Sequence, residues 1–232
     1  MTVNVPDRRG RRVPSPLEGE RIRPLSRRQI EDRLGELGDL YAATSGGDPR
    51  AWNQGRELFL RRLVGEVPRP GFALLVAESD MLPEPAGAAG ATGAEVPTAH
   101  EEGVVLTGCA YGFPVLADGP WWWGPDGCLP RELLRLAASG RLFAIPGILV
   151  HSWVRTQNQG CDWNLARRLQ RRLLAGHTAV LADHPAVLGV TLVDRGDTVT
   201  LRALRSWGWR SVAADARTAT PTARCRALVI GP

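Results

Sequence analysis

The chain has 232 residues, a formal charge of +5 and 44% hydrophobic side chains, enough to bury one sizeable core without a disulfide or metal staple. All 29 basic residues are Arg and none is Lys, which removes a phosphate-loop lysine, a Schiff-base lysine and a kinase-type strand lysine. The four cysteines (Cys109, Cys128, Cys161, Cys225) form no CxxC pair, so no zinc ribbon or disulfide scaffold is indicated and no metal is expected. The abundance of Arg, Ala, Gly and Pro is what GC-rich codons produce, so part of the positive balance is compositional. No apolar run has membrane-spanning length and the first residues carry no apolar leader core; the expectation is a cytoplasmic chain with no membrane partner.

Residues 1–20, with Arg8, Arg9, Arg11 and Arg12 among Pro and Gly, read as a flexible basic tail ahead of one domain over 21–232. A short strand is expected at 21–24. Ser26, with Gln29 three residues on, is a capping box for a helix carrying Ile30, Leu34, Leu37 and Tyr41 at helical spacing. Asp48 and Pro49 open a second helix with Trp52, Phe59, Leu60, Leu63 and Val64 on one face. Strands at 72–79 and 104–113 flank an Ala/Gly/Pro-rich stretch, 83–102, whose composition cannot pack a core and is expected to be disordered. It holds His100, Glu101 and Glu102, read as solvated.

A Trp-rich insert follows at about 114–142, with Trp121, Trp122 and Trp123 and a short helix at 130–138. A strand pattern at 143–154 contains Pro146 and Gly147, the mark of a bulge or an edge. The amphipathic helix 163–174 turns Leu165, Ala166, Leu169 and Leu173 inward and Arg167, Arg168, Arg171 and Arg172 outward. A strand at 187–193, a helix at 198–207 ended by Gly208 at the C′ position, and short strands at 209–212 and 226–230 complete the chain. His184, in Ala-Asp-His-Pro, reads as turn chemistry.

The chemistry is concentrated where a strand ends at Val150, His151 and Ser152, a polar turn with one Gly follows, and a helix begins at once. Such a turn aims successive backbone N–H groups and the positive end of a helix dipole at one point, a geometry suited to a pyrophosphate or carboxylate. Gly160 permits close backbone approach. Asp162 is either a helix N-cap or a charge competing with phosphate for the same donors. Cys161 is either a small filler or a thiol activated by the helix terminus. His151 titrates near neutrality and is the candidate base.

This stretch resembles the signature of the GCN5-related N-acetyltransferase (GNAT) family: Arg or Gln, two residues, Gly, one residue, Gly or Ala. Here it reads Gln157, Asn158, Gln159, Gly160, Cys161, Asp162, followed by Leu165 and Leu169 at helix-core positions. Downstream, Trp207-Gly208-Trp209 is similar to the family's aromatic-Gly strand entry, and the element order fits across about 21–230. The resemblance implies a single α/β domain with a mixed, twisted central sheet, splayed between its fourth and fifth strands, where acyl-CoA lies. It implies that Gln157 to Asp162 hold the pyrophosphate, that Val150 to Ser152 hold the pantetheine and thioester carbonyl, and that an amine attacks the thioester directly.

Three positions depart from the family pattern. Asp162 stands where Gly or Ala is usual, Asp197 replaces an Asn or that Asn is lost, and Leu204 stands where a Tyr donates a proton to the thiolate. Ser206 or Cys161 are the nearby replacements for that donor. Trp121, Trp122, Trp123, Tyr111 and Trp153 are expected to line the acceptor pocket, or, for the three consecutive Trp, to wedge the insert against the sheet. The expected activity is acyl transfer, most simply from acetyl-CoA, to a small-molecule amine by a monomer or homodimer. Two alternatives remain open: a donor such as aminoacyl-tRNA or a carrier-protein thioester, with the Arg-rich helix face meeting phosphates, or a non-catalytic binding module.

Overall fold

The computed structural model describes residues 20–44, 49–80, 104–116, 131–152, 154, 164–181, 186–212 and 225–231. In chain order these form β1 (Arg21–Pro24), α1 (Arg27–Asp32), α2 (Leu34–Thr44), α3 (Pro49–Glu66), β2 (Ala73–Ser79) and β3 (Val105–Pro114). There follow α4 (Arg131–Ala138), β4 (Leu142–Val150), α5 (Leu165–Thr178), β5 (Leu188–Asp194), α6 (Thr198–Ser206), β6 (Arg210–Ser211) and β7 (Cys225–Ile230). The strands make one open sheet, β1-β2-β3-β4-β5-β7-β6, antiparallel throughout except for the parallel β4–β5 pair. This is the mixed sheet that the resemblance implied. Residues 1–19 of the expected tail, the stretch 83–102 and Trp121 to Trp123 lie outside the described residues.

The sheet is covered on both faces, and β2 shows why. Its run Ala-Leu-Leu-Val-Ala is apolar at every position because alternate residues enter different cores. Leu74 and Val76 pack with Ile30, Leu37, Leu40, Phe59 and Leu63 from α1 to α3. Leu75 and Ala77 pack with Leu165, Ala166, Leu169 and Leu173 of α5, a layer that Leu201 and Leu204 of α6 extend. Each fully buried Leu or Val contributes about 1.5–3 kcal/mol of transfer free energy. A third cluster places Leu133 and Ala137 of α4 over Leu142, Ala144 and Val190.

The capping box at Ser26 and Gln29 is present, but the helix it opens is broken at Arg33. The Arg33 side chain is drawn onto Glu36 and onto buried Glu78 of β2, and α2 restarts beyond it. The strand expected over 143–154 ends at Val150, and the backbone is helical at Ser152 and Val154. Apolar alternation over so few residues does not separate a strand end from one helical turn. Helix α5 begins two residues later than expected, and Asn164 caps it, its side chain accepting from Ala166 N at 2.9 Å. It also runs on to Thr178, anchored by His177, whose ring nitrogen lies 3.0 Å from Gly140 O and whose ring lies 4.9 Å from that of Phe143. Gly208 has φ +96°, the left-handed C′ geometry that ends α6 where expected.

A buried polar tie joins α5 to the end of α6. Gln170, 1% exposed, donates to Trp207 O at 3.0 Å and accepts from Trp209 Nε1 at 3.0 Å. Loss of Gln170 strands a carbonyl and an indole N–H inside the core, each costing about 1–3 kcal/mol. Gln170→Met is expected to lower unfolding free energy by about 2–4 kcal/mol, read from the urea midpoint at unchanged m-value. In Trp209→Phe, which removes the indole donor, the same substitution is expected to cost measurably less.

Candidate functional site

The site is created where β4 leaves β5. Only Leu142, Phe143 and Ala144 pair with β5, opposite Leu188, Gly189 and Val190. Immediately afterwards β4 holds one residue more than β3: Phe113 stands opposite Ala144, while Tyr111 stands opposite Gly147. Ile145 and Pro146 form that bulge, and Pro146 has no N–H to give to either neighbour. The sequence pattern left a bulge or an edge open; the structure shows a bulge in a central strand. Gly147 is required there, since a Cβ would fall 2.3 Å from the Tyr111 ring.

Beyond the bulge β4 stays with β3 as far as Val150, and β5 stays with β7 as far as Asp194. A wedge therefore opens inside the sheet. Along it, no described strand pairs with the β5-facing edge of β4 from Ile145 to Val150. Residues Pro146 to Leu149 are half-buried between the buried Leu142–Ile145 and Val150. Backbone N–H and C=O groups in such a place need partners, and an extended ligand bearing amides supplies them as an added strand would.

The expected site residues divide around this wedge. Val150, 5% exposed, closes β4 and packs in the α5 core. His151 continues the ladder by one bond, its N–H donating to Thr107 O at 2.8 Å. Alternation from Leu149, which packs on the α1–α3 side, places the half-buried imidazole on that same face. Burial pushes its pKa down, so the ring is neutral and able to accept a proton near neutral pH.

Tyr111 is 1% exposed, its ring 6.4 Å from Phe59 and 6.0 Å from Phe72, and burial pushes its pKa up. It is a core member beneath the wedge. Leu204, 6% exposed, is likewise a core residue with no proton to donate. The Ser206 hydroxyl donates to Ala203 O at 2.7 Å and is exposed at the end of α6. Asp197 caps α6, accepting from Thr200 N at 2.9 Å. Ser152 is half-buried just past β4. Gln157, Asn158, Gln159, Gly160, Cys161, Asp162, Trp153 and Trp121 to Trp123 lie outside the described residues.

Sequence reasoning missed a polar seam on the α5 face. Thr107 is the extra residue of a bulge in β3, between Gly108 opposite Ala77 and Leu106 opposite Glu78. Its hydroxyl donates to Glu20 at 2.8 Å, and Arg168 donates to the other oxygen of Glu20 at 2.8 Å. Glu20, read as the last residue of a tail, has a side chain only 2% exposed. Burial pushes its pKa up against the opposing hydrogen bond from Thr107 and charge of Arg168. No pattern in the sequence marks a single Glu before a short edge strand. The neighbouring carboxylate, Glu78, takes Arg23 at 2.7 and 2.8 Å and Arg33 at 2.5 Å. Arg23 above all, and then Arg33, hold it below the usual carboxylate range despite burial.

No family model matches the chain, and no curated protein matches it. Among solved structures it is similar to a protein assigned to the GNAT family as an acetyltransferase, from Desulfovibrio desulfuricans. The TM-score is 0.47 at 12% identity, over 91% of this chain and 98% of that one. An acetyltransferase from Streptococcus agalactiae gives 0.47 at 10%, over 91% and 98%. The ribosomal-protein-S18-alanine N-acetyltransferase of Escherichia coli gives 0.44 at 9%, over 91% and 93%. Likeness at this level carries nothing about activity, and the fold is read from the sheet order, the β4 bulge and the wedge.

Because the folded pKa of Glu78 lies below its unfolded value, its stabilisation is present above the ordinary carboxylate range and disappears as pH falls through the folded value. Glu78→Gln is expected to cost about 2–4 kcal/mol at pH 7 and progressively less as pH falls below the ordinary carboxylate range, measured by urea denaturation across that range.

Proposed function

We propose that this GNAT-fold chain is an N-acyltransferase that takes an acyl group from an acyl-CoA thioester, most simply acetyl-CoA, and passes it to the amine of a small molecule. The observation that carries the reading is the half-buried edge of β4 beyond Pro146, which no strand pairs among the described residues and from which β5 has parted. A pantetheine arm is an extended chain with two amides, and it matches that edge in chemistry. The Gln157–Asp162 turn, read from the sequence, would supply N–H groups to the pyrophosphate.

The thioester supplies an activated acyl carbon and a thiol leaving group, so the demand on the protein is modest. His151, neutral and on the α1–α3 face at the end of β4, takes the proton from the attacking amine. The amine nitrogen bonds to the acyl carbon, the carbon–sulfur bond breaks, and the departing thiolate takes its proton from solvent or from the His151 ring that received the amine's. Backbone groups of β4 hold the carbonyl in line during this exchange. Leu204 and the Ala203-bonded Ser206 hydroxyl make neither a ready proton donor, and a thiolate needs such help less than an alkoxide would. The tRNA-donor alternative keeps less surface than the sequence offered, since Arg167 donates to Ser206 O at 2.9 Å and Arg168 is paired with Glu20.

Intrinsic Trp fluorescence titrated with acetyl-CoA and with desulfo-CoA is expected to give saturable quenching with Kd on the order of micromolar. No response up to about millimolar concentration overturns the reading. His151→Ala is expected to lower kcat by about a hundredfold to ten-thousandfold while acetyl-CoA affinity stays within about twofold. The acid limb of kcat/KM in the unaltered protein is expected below pH 6.5, because burial lowers the pKa of His151 from that ordinary value. A limb above it excludes His151 as the base.

A further inference from the structure

We propose that Glu20, Thr107 and Arg168 are positioning residues for His151, a relay that fixes its backbone and through it the place of its ring. The inference rests on the reading of His151 as the base and extends it to residues that act only through His151.

Strand β4 ends at Val150, and the backbone is already helical at Ser152. His151 lies between these two regimes. The bond that carries the ladder past the strand end runs from His151 N to Thr107 O, at 2.8 Å. Where that carbonyl points therefore decides where the His151 backbone sits. In a regular sheet the ladders on both sides of a strand fix the direction of each peptide. Thr107 lacks one of them, because register with β2 passes from Gly108 opposite Ala77 to Leu106 opposite Glu78. The extra residue of a bulge is left out of the ladder on that side. Its orientation is then set by what its side chain holds.

That side chain is well anchored. Thr107 is 1% exposed, and its hydroxyl donates to one oxygen of Glu20 at 2.8 Å. The other Glu20 oxygen accepts from Arg168 at 2.8 Å. Arg168 closes the first turn of α5, its N–H donating to Asn164 O at 3.1 Å. One buried carboxylate thus ties the β3 bulge to the chain just before β1 and to the helix that follows the polar turn. Bonds to an ionised carboxylate are about twice as strong as neutral ones, which suits an anchor. Gly108 lets that helix close over the bulge, since a Cβ there would lie 2.9 Å from the Leu165 side chain. On the opposite face, where the His151 ring lies, the nearby charges of Glu78, Arg23 and Arg33 are paired with one another. Burial is the cause that lowers the His151 pKa, so the ring's titration reports how well it is held inside.

The test is an NMR pH titration of the imidazole signals of the full chain, with His151 assigned by its loss in His151→Ala. In Thr107→Val the pKa of His151 is expected to rise toward 6.5 by at least about half a pH unit, as the ring loosens toward solvent. Thr107→Ser, which keeps the hydroxyl, is expected to titrate like the unaltered protein. So is Gln170→Met, which destabilises the fold at a site outside the relay. Should Thr107→Val fail to fold, Glu20→Gln answers in its place, with a rise expected. With acetyl-CoA and a panel of small primary amines, Thr107→Val is expected to lower kcat at least about tenfold while acetyl-CoA affinity stays within about twofold. An unmoved His151 titration in Thr107→Val, or an equal rise in Thr107→Ser or Gln170→Met, overturns the relay. Absence of acetyl-CoA binding by the unaltered protein overturns the donor reading alone, and the titration still decides the relay.

Discussion

The architecture depends on a parallel pairing that is cut short. Strands β4 and β5 share three registered residues and then separate, at the point where a bulge and Pro146 interrupt the β4 ladder. A sheet normally satisfies its backbone groups from both sides, and a central strand whose edge meets no strand among the described residues carries a cost that an occupant or solvent offsets. Strand β4 pairs with β3 on both sides of its bulge, and β5 stays in unbroken register with β7, so the separation is a feature of the sheet. Everything read as function follows from that gap: its bare edge, the histidine at the end of its wall and the helix that starts beyond it.

The walls of the gap are tied from behind. Gln170 links α5 to the chain at Trp207 and Trp209, which fixes how the helix after β4 sits against the helix after β5. The extra residue of the β3 bulge, Thr107, connects the His151 backbone on one side to Glu20 and Arg168 on the other. Buried polar groups of this kind are costly singly and specific together, since each has few arrangements in which all its atoms are satisfied. The reading of His151 as a base rests on the same placement: the ring is far enough inside for burial to keep it neutral, yet it lies at the end of the strand that lines the wedge.

Local signals in the sequence were reliable wherever a short-range rule was at stake. Ser26 with Gln29, the Leu165/Leu169/Leu173 stripe and Gly208 past α6 all act over one or two turns, and each stands where the pattern put it. The misjudged ends have a tertiary cause. Arg33 interrupts a helical periodicity because Glu78, distant in sequence, captures its guanidinium. Helix α5 continues past its leucine stripe because His177 meets Phe143 and Gly140. Tyr111 has the residue type of a pocket wall, yet strand register and the cleft left by Gly147 put it in the core.

By itself, then, the sequence determined the succession of strands and helices apart from the break at Arg33, because periodicity and caps are written within a few residues. It also determined which chemistries were absent, since a chain without Lys cannot perform them. The tertiary structure alone decided that Pro146 marks a bulge in a central strand, that Glu20 is buried, and that Arg168 reaches it from α5. Those outcomes depend on register between strands and on which flank of a helix meets the sheet. Such quantities are set by packing between segments far apart in the chain, and no local pattern encodes them.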